Sequence, residues 1–198
     1  MKAIIFSLLG WMFLPVMDGF AKFLSDDLPI LQITWARYFF TVVFTLPIMI
    51  FFFKKQLVWS DKPKLQILRG LILLSANICF FYAISIISLA KALTLAFVAP
   101  LIVTAFSPVM LGEKVGFRRW TAVVVGFIGS LVVIRPGFVE LNFASLAALG
   151  TGIFYGFYLI ITRKLSTSDN PLLTLLMTGM VGAILVSAII PFYWVKPS

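Results

Sequence analysis

Histidine is absent from this chain of 198 residues, and cysteine occurs once, at Cys79. One cysteine excludes an intramolecular disulfide. The two scarcities together argue against a zinc site, whose ligands are mostly Cys and His. They also leave the lone thiol without a partner base. Charge is thin as well: 12% of the residues are charged, 7 acidic against 16 basic. A soluble domain carries about a quarter. No glycine-rich phosphate loop with its lysine occurs, since GEKVG (112–116) is too short and lacks the pattern. Direct use of ATP is therefore not expected. These absences predict a protein that is not an enzyme, with no metal and no cofactor. One exception stays open, a small membrane-embedded enzyme working through Asp18 or Glu113.

What the chain does have is apolar surface. Hydrophobic residues make up 62%, and the mean hydropathy is +1.10. A chain of this length cannot hide that much apolar surface in one water-soluble core. The expected solvent is lipid. The net charge of +9 does not point to nucleic acid. Its basic residues sit in short gaps between apolar runs, as in a membrane protein. Residues 4–17 are apolar, but no clean small-x-small cleavage site follows and more spans come after. An uncleaved first helix is expected rather than a signal peptide.

Seven apolar segments can be cut out, at roughly 3–21, 34–53, 67–88, 91–111, 119–135, 143–162 and 172–194. A crossing helix needs about 20 residues. Residues 70–112 carry a single charge, Lys91, and are too long for one crossing, so a tight turn is predicted near 85–92. The charges then set an orientation. Lys2 precedes the first segment. Lys54, Lys55, Lys62, Lys64 and Arg69 follow the second, Lys114, Arg118 and Arg119 the fourth, and Arg163 and Lys164 the sixth. The alternate gaps hold Lys22 with Asp26 and Asp27, then Lys91, then Arg135 with Glu140. Basic excess alternates through every gap, which predicts a multi-pass membrane protein with a cytoplasmic N-terminus.

A faint internal repeat is also present. Residues 22–31, KFLSDDLPIL, resemble residues 163–173, RKLSTSDNPLL; Asp27/Asp169, Pro29/Pro171 and Leu31/Leu173 share one offset. Each stretch joins the first and second segments of its unit; five segments precede the second unit, and an odd number inverts its direction. Inverted repeats are common in secondary transporters. The competing explanation is ordinary turn chemistry.

Some polar residues fall inside the apolar runs. An aspartate at mid-span costs about 3 kcal/mol on insertion scales, and Asp18 lies in the first segment three residues after Pro15. Trp11, Pro15 and Asp18 share one helix face by their spacing. Asp18 is expected either to line a wet cavity, binding a cation, a proton or a substrate amine, or to sit near headgroups paired with Lys22. Pro100 breaks the fourth segment and frees the carbonyl of Ala96, with Thr94 and Thr104 in the same region. Asn77 should face other helices. Tyr82 lies near it, and Arg37 opens the second segment, where it snorkels or pairs with Asp18 or Asp27. Tyr155 and Tyr158 offer aromatic walls to a cationic or planar solute. Gly152-x-x-x-Gly156 permits close helix contact. Packing is the alternative for Pro100, Asn77, Tyr155 and Tyr158.

Residues 92–137 carry a further likeness. Ala92, Thr94, Pro100, Leu111-Gly112-Glu113, Trp120 and the run GFIGSLVVIRPG (126–137), together with Arg37, resemble the EamA-type domain of the drug/metabolite transporter superfamily. The resemblance implies an all-α fold of ten helices in two inverted five-helix units around a central cavity. Here 1–137 would form the first unit, and 143–198 two helices of the second, with three helices missing. It further implies movement of a small metabolite or amphipathic solute by alternating access. Glu113, at a helix end, is by this likeness structural rather than cargo-binding. The expected site comprises Trp11, Asp18, Arg37, Asn77, Tyr82, Thr94, Pro100, Tyr155 and Tyr158. The expected partners are a small-molecule substrate and the lipid bilayer. Proton or cation coupling and self-association stay open. The alternative is a shortened membrane protein that does not transport alone, or an assembly partner.

Overall fold

The computed structural model describes residues 2–52, 60–134 and 142–196, with side chains from Met12 onward apart from Leu14, Phe52, Ser130, Leu131, Val133 and Ile134. Lys54, Lys55, Arg135, Glu140 and the side chain of Trp11 therefore lie outside the described residues. All regular structure among the described residues is helical: α1 (Lys2–Leu24), α2 (Ile30–Phe52), α3 (Pro63–Ile86), α4 (Leu89–Ala96), α5 (Ala99–Leu111), α6 (Phe117–Ile134), α7 (Phe143–Leu165) and α8 (Pro171–Ile189). A short 3-10 turn, Ile190–Phe192, follows α8. The described part of each apolar segment falls mainly on one helix, except the fourth, which is the broken pair α4–α5. Among the described residues, five helical stretches are long and apolar enough to cross a membrane: 30–51, 63–86, 89–111, 143–165 and 171–192. The chain is thus an all-α protein built to span a membrane several times.

Local chemistry sets the helix ends. Proline occupies the first turn of α3 and α8, where a missing N–H costs nothing. Asn142 and Asn170 cap α7 and α8, accepting from the backbone N–H of Ser145 and Leu172, each at 2.9 Å. Ser88 caps α4 from the turn expected near 85–92. The break expected at Pro100 occurs at Phe97–Val98, just before the proline. Gly112, at φ 70°, ends α5 in the left-handed conformation that suits glycine.

Close contacts fix the directions of the helices. Along α2 and α8, Tyr38 meets Gly182, Thr41 and Val42 meet Gly179, and the Trp35 indole donates to Ser187 Oγ at 2.8 Å. The residue numbers run oppositely, so these helices are antiparallel. α3 runs antiparallel to α7, with Thr151 near Ala76 and Thr162 near Arg69. It runs parallel to α8, where Gly70 meets Val181. α5 lies parallel to α7, which presents Gly152 to Ala96 and Val98 and Gly156 to Ala99 and Ile102. The glycine pair of the sequence is therefore a close helix contact.

Two ends result. At one, Ser60 reaches Asp169, and Glu113 meets Arg163 at 2.7 Å. The connections after α2, α5 and α7 meet here. At the other, Gln32 holds the backbone of Val195 through both its amide atoms, at 3.0 and 3.2 Å. The Glu113–Arg163 pair is half-exposed, where such pairs contribute about 0–1 kcal/mol.

The connections 25–29 and 166–170 fold alike. Ser25 Oγ donates to the carbonyl of Lys22, and Ser166 Oγ to that of Arg163. The N–H of Leu28 bonds the Leu24 carbonyl, as that of Asp169 bonds Leu165. In this register Ser25 matches Ser166 and Leu28 matches Asp169. That is one residue away from the alignment of Asp27 with Asp169.

Candidate functional site

α2, α3, α7 and α8 converge on a polar seam inside the apolar bundle. Near its middle, Asn77 is buried on α3 and donates through Nδ2 to the Tyr38 hydroxyl at 2.6 Å. Burying an amide and a phenol is tolerable only because they satisfy each other. The Tyr38 ring in turn abuts Gly182 of α8, so one pair ties three helices together. Asp18 and Arg37 are both half-buried and are not in ion-pair contact. Arg37 acts electrostatically on Asp18, Tyr38 and Tyr155, and Asp18 acts on Tyr155 as well. The Tyr155 and Tyr158 rings stack with centroids 5.5 Å apart. Asp18, Arg37, Tyr155 and Tyr158 thus form one electrostatic neighbourhood drawn from α1, α2 and α7.

The other expected site residues scatter. Thr94 is buried, but its hydroxyl is spent on the Ala90 carbonyl at 2.8 Å. Pro100 is exposed near the start of α5, and Tyr82 is exposed on α3. Arg37 lies within α2 rather than at its opening, because the helix starts earlier, at Ile30. Its guanidinium carbon stands 5.9 Å from the centre of the Phe81 ring. An almost wholly apolar, half-open cavity of about 400 Å³ flanks it, lined by Met17, Phe20 and Leu24 of α1, Trp35 of α2, and Trp194. Of the expected site residues whose side chains are described, Arg37 alone lines this cavity.

Arg69 is the largest departure from the sequence reading, which places it in a basic gap. It lies inside α3, about 9 Å along the axis from Pro63, and is only 4% exposed. Nε donates to Thr162 Oγ1 at 2.7 Å, and one terminal nitrogen donates to the Thr174 carbonyl at 3.0 Å and to Thr178 Oγ1. The other donates to the Tyr158 hydroxyl at 2.8 Å, and the guanidinium carbon stands 4.5 Å from the centre of that ring. Among the described residues only Glu113 forms ion pairs, so Arg69 has no carboxylate. The spacing Gln66–Arg69 and the threonines at 174 and 178 were the available signals; each is a helical-face spacing.

One turn nearer the end, Gln66 donates to Asp169 Oδ2 at 2.6 Å and to Thr174 Oγ1 at 3.2 Å, and Ser60 donates to the same Asp169 oxygen. Burial pushes the Asp169 carboxyl up, but hydrogen bonds from Ser60, Gln66 and Ser168 and the Lys62 charge outweigh it. They hold the group below its ordinary value. It is therefore ionised through the neutral and mildly acidic range. Its contribution to stability is present above the ordinary carboxylate pKa and is lost as pH falls through its own lowered value. No group of metal-ligating side chains occurs among the described residues.

Comparison with known proteins fits this picture. Over 181 residues the chain is 28% identical to the S-adenosylmethionine uptake transporter of Rickettsia prowazekii (strain Madrid E), covering 91% of this chain and 61% of that protein. It is 28% identical over 195 residues to the transporter of the same description from Rickettsia conorii, covering 96% and 66%. The riboflavin transporter of Vibrio cholerae is 26% identical over 159 residues, 79% of this chain and 53% of that one. The chain therefore spans about two thirds or less of the length of these relatives. No solved structure matches it. The EamA-like transporter family model matches residues 1–135, and the chain belongs to that family.

Proposed function

We propose that this chain forms the greater part of a secondary transporter of the bacterial inner membrane, moving a small zwitterionic metabolite with a planar ring. The carrying observation is the neighbourhood of Asp18, Arg37 and the stacked pair Tyr155–Tyr158 within apolar helices. A carboxylate and a guanidinium held apart suit a solute that bears both charges. Tyrosine faces suit a cation or an aromatic ring. S-adenosylmethionine has this chemistry, with an amino-acid head, a sulfonium and an adenine. The Rickettsia relatives bear that description, which supports the choice.

In this reading α1 and α6 also cross, giving seven crossings with the N-terminus in the cytoplasm. The hairpins α1–α2 and α7–α8 belong to two units, 1–137 and 143–198, of opposite direction. The antiparallel α2 and α8 and the like turns at 25–29 and 166–170 support this. Rocking of one unit against the other would expose the site to each side in turn. Proton or cation coupling would run through Asp18. A second reading, a membrane partner that works only with further helices, is favoured by the length relative to its relatives.

The test is uptake of labelled S-adenosylmethionine, with riboflavin as competitor, into vesicles carrying the chain. Saturable uptake that excess unlabelled S-adenosylmethionine suppresses is expected. Uptake no greater than in empty vesicles would favour the partner reading.

A further inference from the structure

We propose that Arg69 is the latch that closes the Asp169 end of the transport path, binding α3 to α7 and α8 and letting go when that end opens. The inference rests on the transporter reading above. Arg69 comes from the first unit, whereas Thr162, Thr174, Thr178 and Tyr158 come from the second.

The acceptors are arranged for this cation. Thr162 Oγ1 donates its one hydrogen to the Tyr158 carbonyl at 2.6 Å, and Thr178 Oγ1 donates to the Thr174 carbonyl at 2.8 Å. With those hydrogens spent, both hydroxyls can turn only lone pairs toward the guanidinium. The chemistry also suits release. Breaking a buried ion pair strands two opposite charges. Parting a guanidinium from hydroxyls and a carbonyl strands one, and entering water offers it the same kind of acceptor. Arg69 lies within about two helical turns of the α3 start, near enough for its long side chain to rehydrate at that end.

The two ends are unlike. At the Asp169 end the seam continues outward through Gln66 to Asp169 and Ser60. At the opposite end the described cross-unit hydrogen bonds are neutral, from Gln32 to the Val195 backbone and from Trp35 to Ser187. Tyr158 links the latch to the site. Its hydroxyl and ring hold Arg69, and the same ring stacks on Tyr155, which feels Arg37 and Asp18. A solute that parts the two tyrosines would therefore loosen Arg69.

Pulsed electron spin resonance on the full chain in liposomes tests the latch without any solute. Spin labels at Lys64→Cys and Ser168→Cys, both exposed, report the Asp169 end in a Cys79→Ala background. Thr178→Val removes one acceptor while keeping the shape, Tyr158→Phe removes another, and Arg69→Met removes the cation. Thr178→Val and Tyr158→Phe are each expected to raise the population at longer distance about tenfold, the loss of one hydrogen bond to a charged group, and Arg69→Met, which removes every donor of the latch, by more. Distances in Thr178→Val and Tyr158→Phe that match the parent would overturn the latch, even if Arg69→Met fails to fold. Failure of the transport reading is separable. Widening without uptake leaves the latch standing and removes only the transporter, whereas uptake with unmoved distances removes only the latch.

Discussion

Gly152→Leu is expected to unseat the broken helix α4–α5 from α7 and to remove most of the folded population. A Cβ at Gly152 alone would stand 2.7 Å from the Ala96 carbonyl oxygen and overlap Val98. The Val98 methyl is nearest, but the Ala96 carbonyl behind it is backbone, so the helix itself must shift as well as a side chain. Overpacking of this kind costs about 1–3 kcal/mol even for small additions, so Gly152→Ala should already lower the thermal midpoint clearly. Gly150→Ala is the matched control. Its added methyl would meet only Cys79 Sγ, at 3.8 Å, so its effect should stay within about 0.5 kcal/mol. Tryptophan fluorescence during heating in detergent distinguishes the two. Equal midpoints for Gly152→Ala and Gly150→Ala would show that α5 does not sit on α7 as described.

The second large effect is on transport. Asp18→Asn preserves shape but removes the carboxylate that shares a neighbourhood with Arg37 and Tyr155. Loss of a charge-assisted contact to the solute is expected to reduce uptake about tenfold or more. If Asp18 also carries the coupling proton or cation, the remaining uptake should no longer respond to an imposed proton or sodium gradient. On the proposed transport reading, Arg37→Gln should reduce uptake as well, because that reading pairs Arg37 with the solute carboxylate. An Asp18→Asn protein whose uptake follows the gradient as the parent does would remove the coupling role and leave the fold untouched.

The sequence carried the helices far better than the seam between them. Long apolar runs with basic gaps mark helices by their length alone. The turn before Leu89, the break before Pro100 and the close approach at Gly152 and Gly156 all follow from local chemistry. The pairing of Asn77 with Tyr38 did not, because it joins residues on different helices. Arg69 was hidden for a different reason. Next to Lys62 and Lys64 it reads as one more basic residue of a gap, and only packing against Thr162, Thr174 and Thr178 shows that α3 has already begun. Asp169 likewise reads as turn chemistry until Ser60 and Gln66 are brought to it. Thr94 and Pro100 stand on the broken helix as expected, yet the buried hydroxyl and the exposed ring are not drawn into the neighbourhood of Asp18 and Arg37.

The most direct measurement is the side from which single cysteines are labelled by a thiol reagent that cannot cross the membrane. Five exposed positions serve in the Cys79→Ala background: Asp61, Lys114 and Ser168 at one end, and Asp26 and Lys196 at the other. Reaction of the first three from the cytoplasmic face only, and of the last two from the opposite face only, is the predicted result. Reaction of Asp26 and Asp61 from the same face would mean that α2 does not cross the bilayer, and would contradict the account at its base.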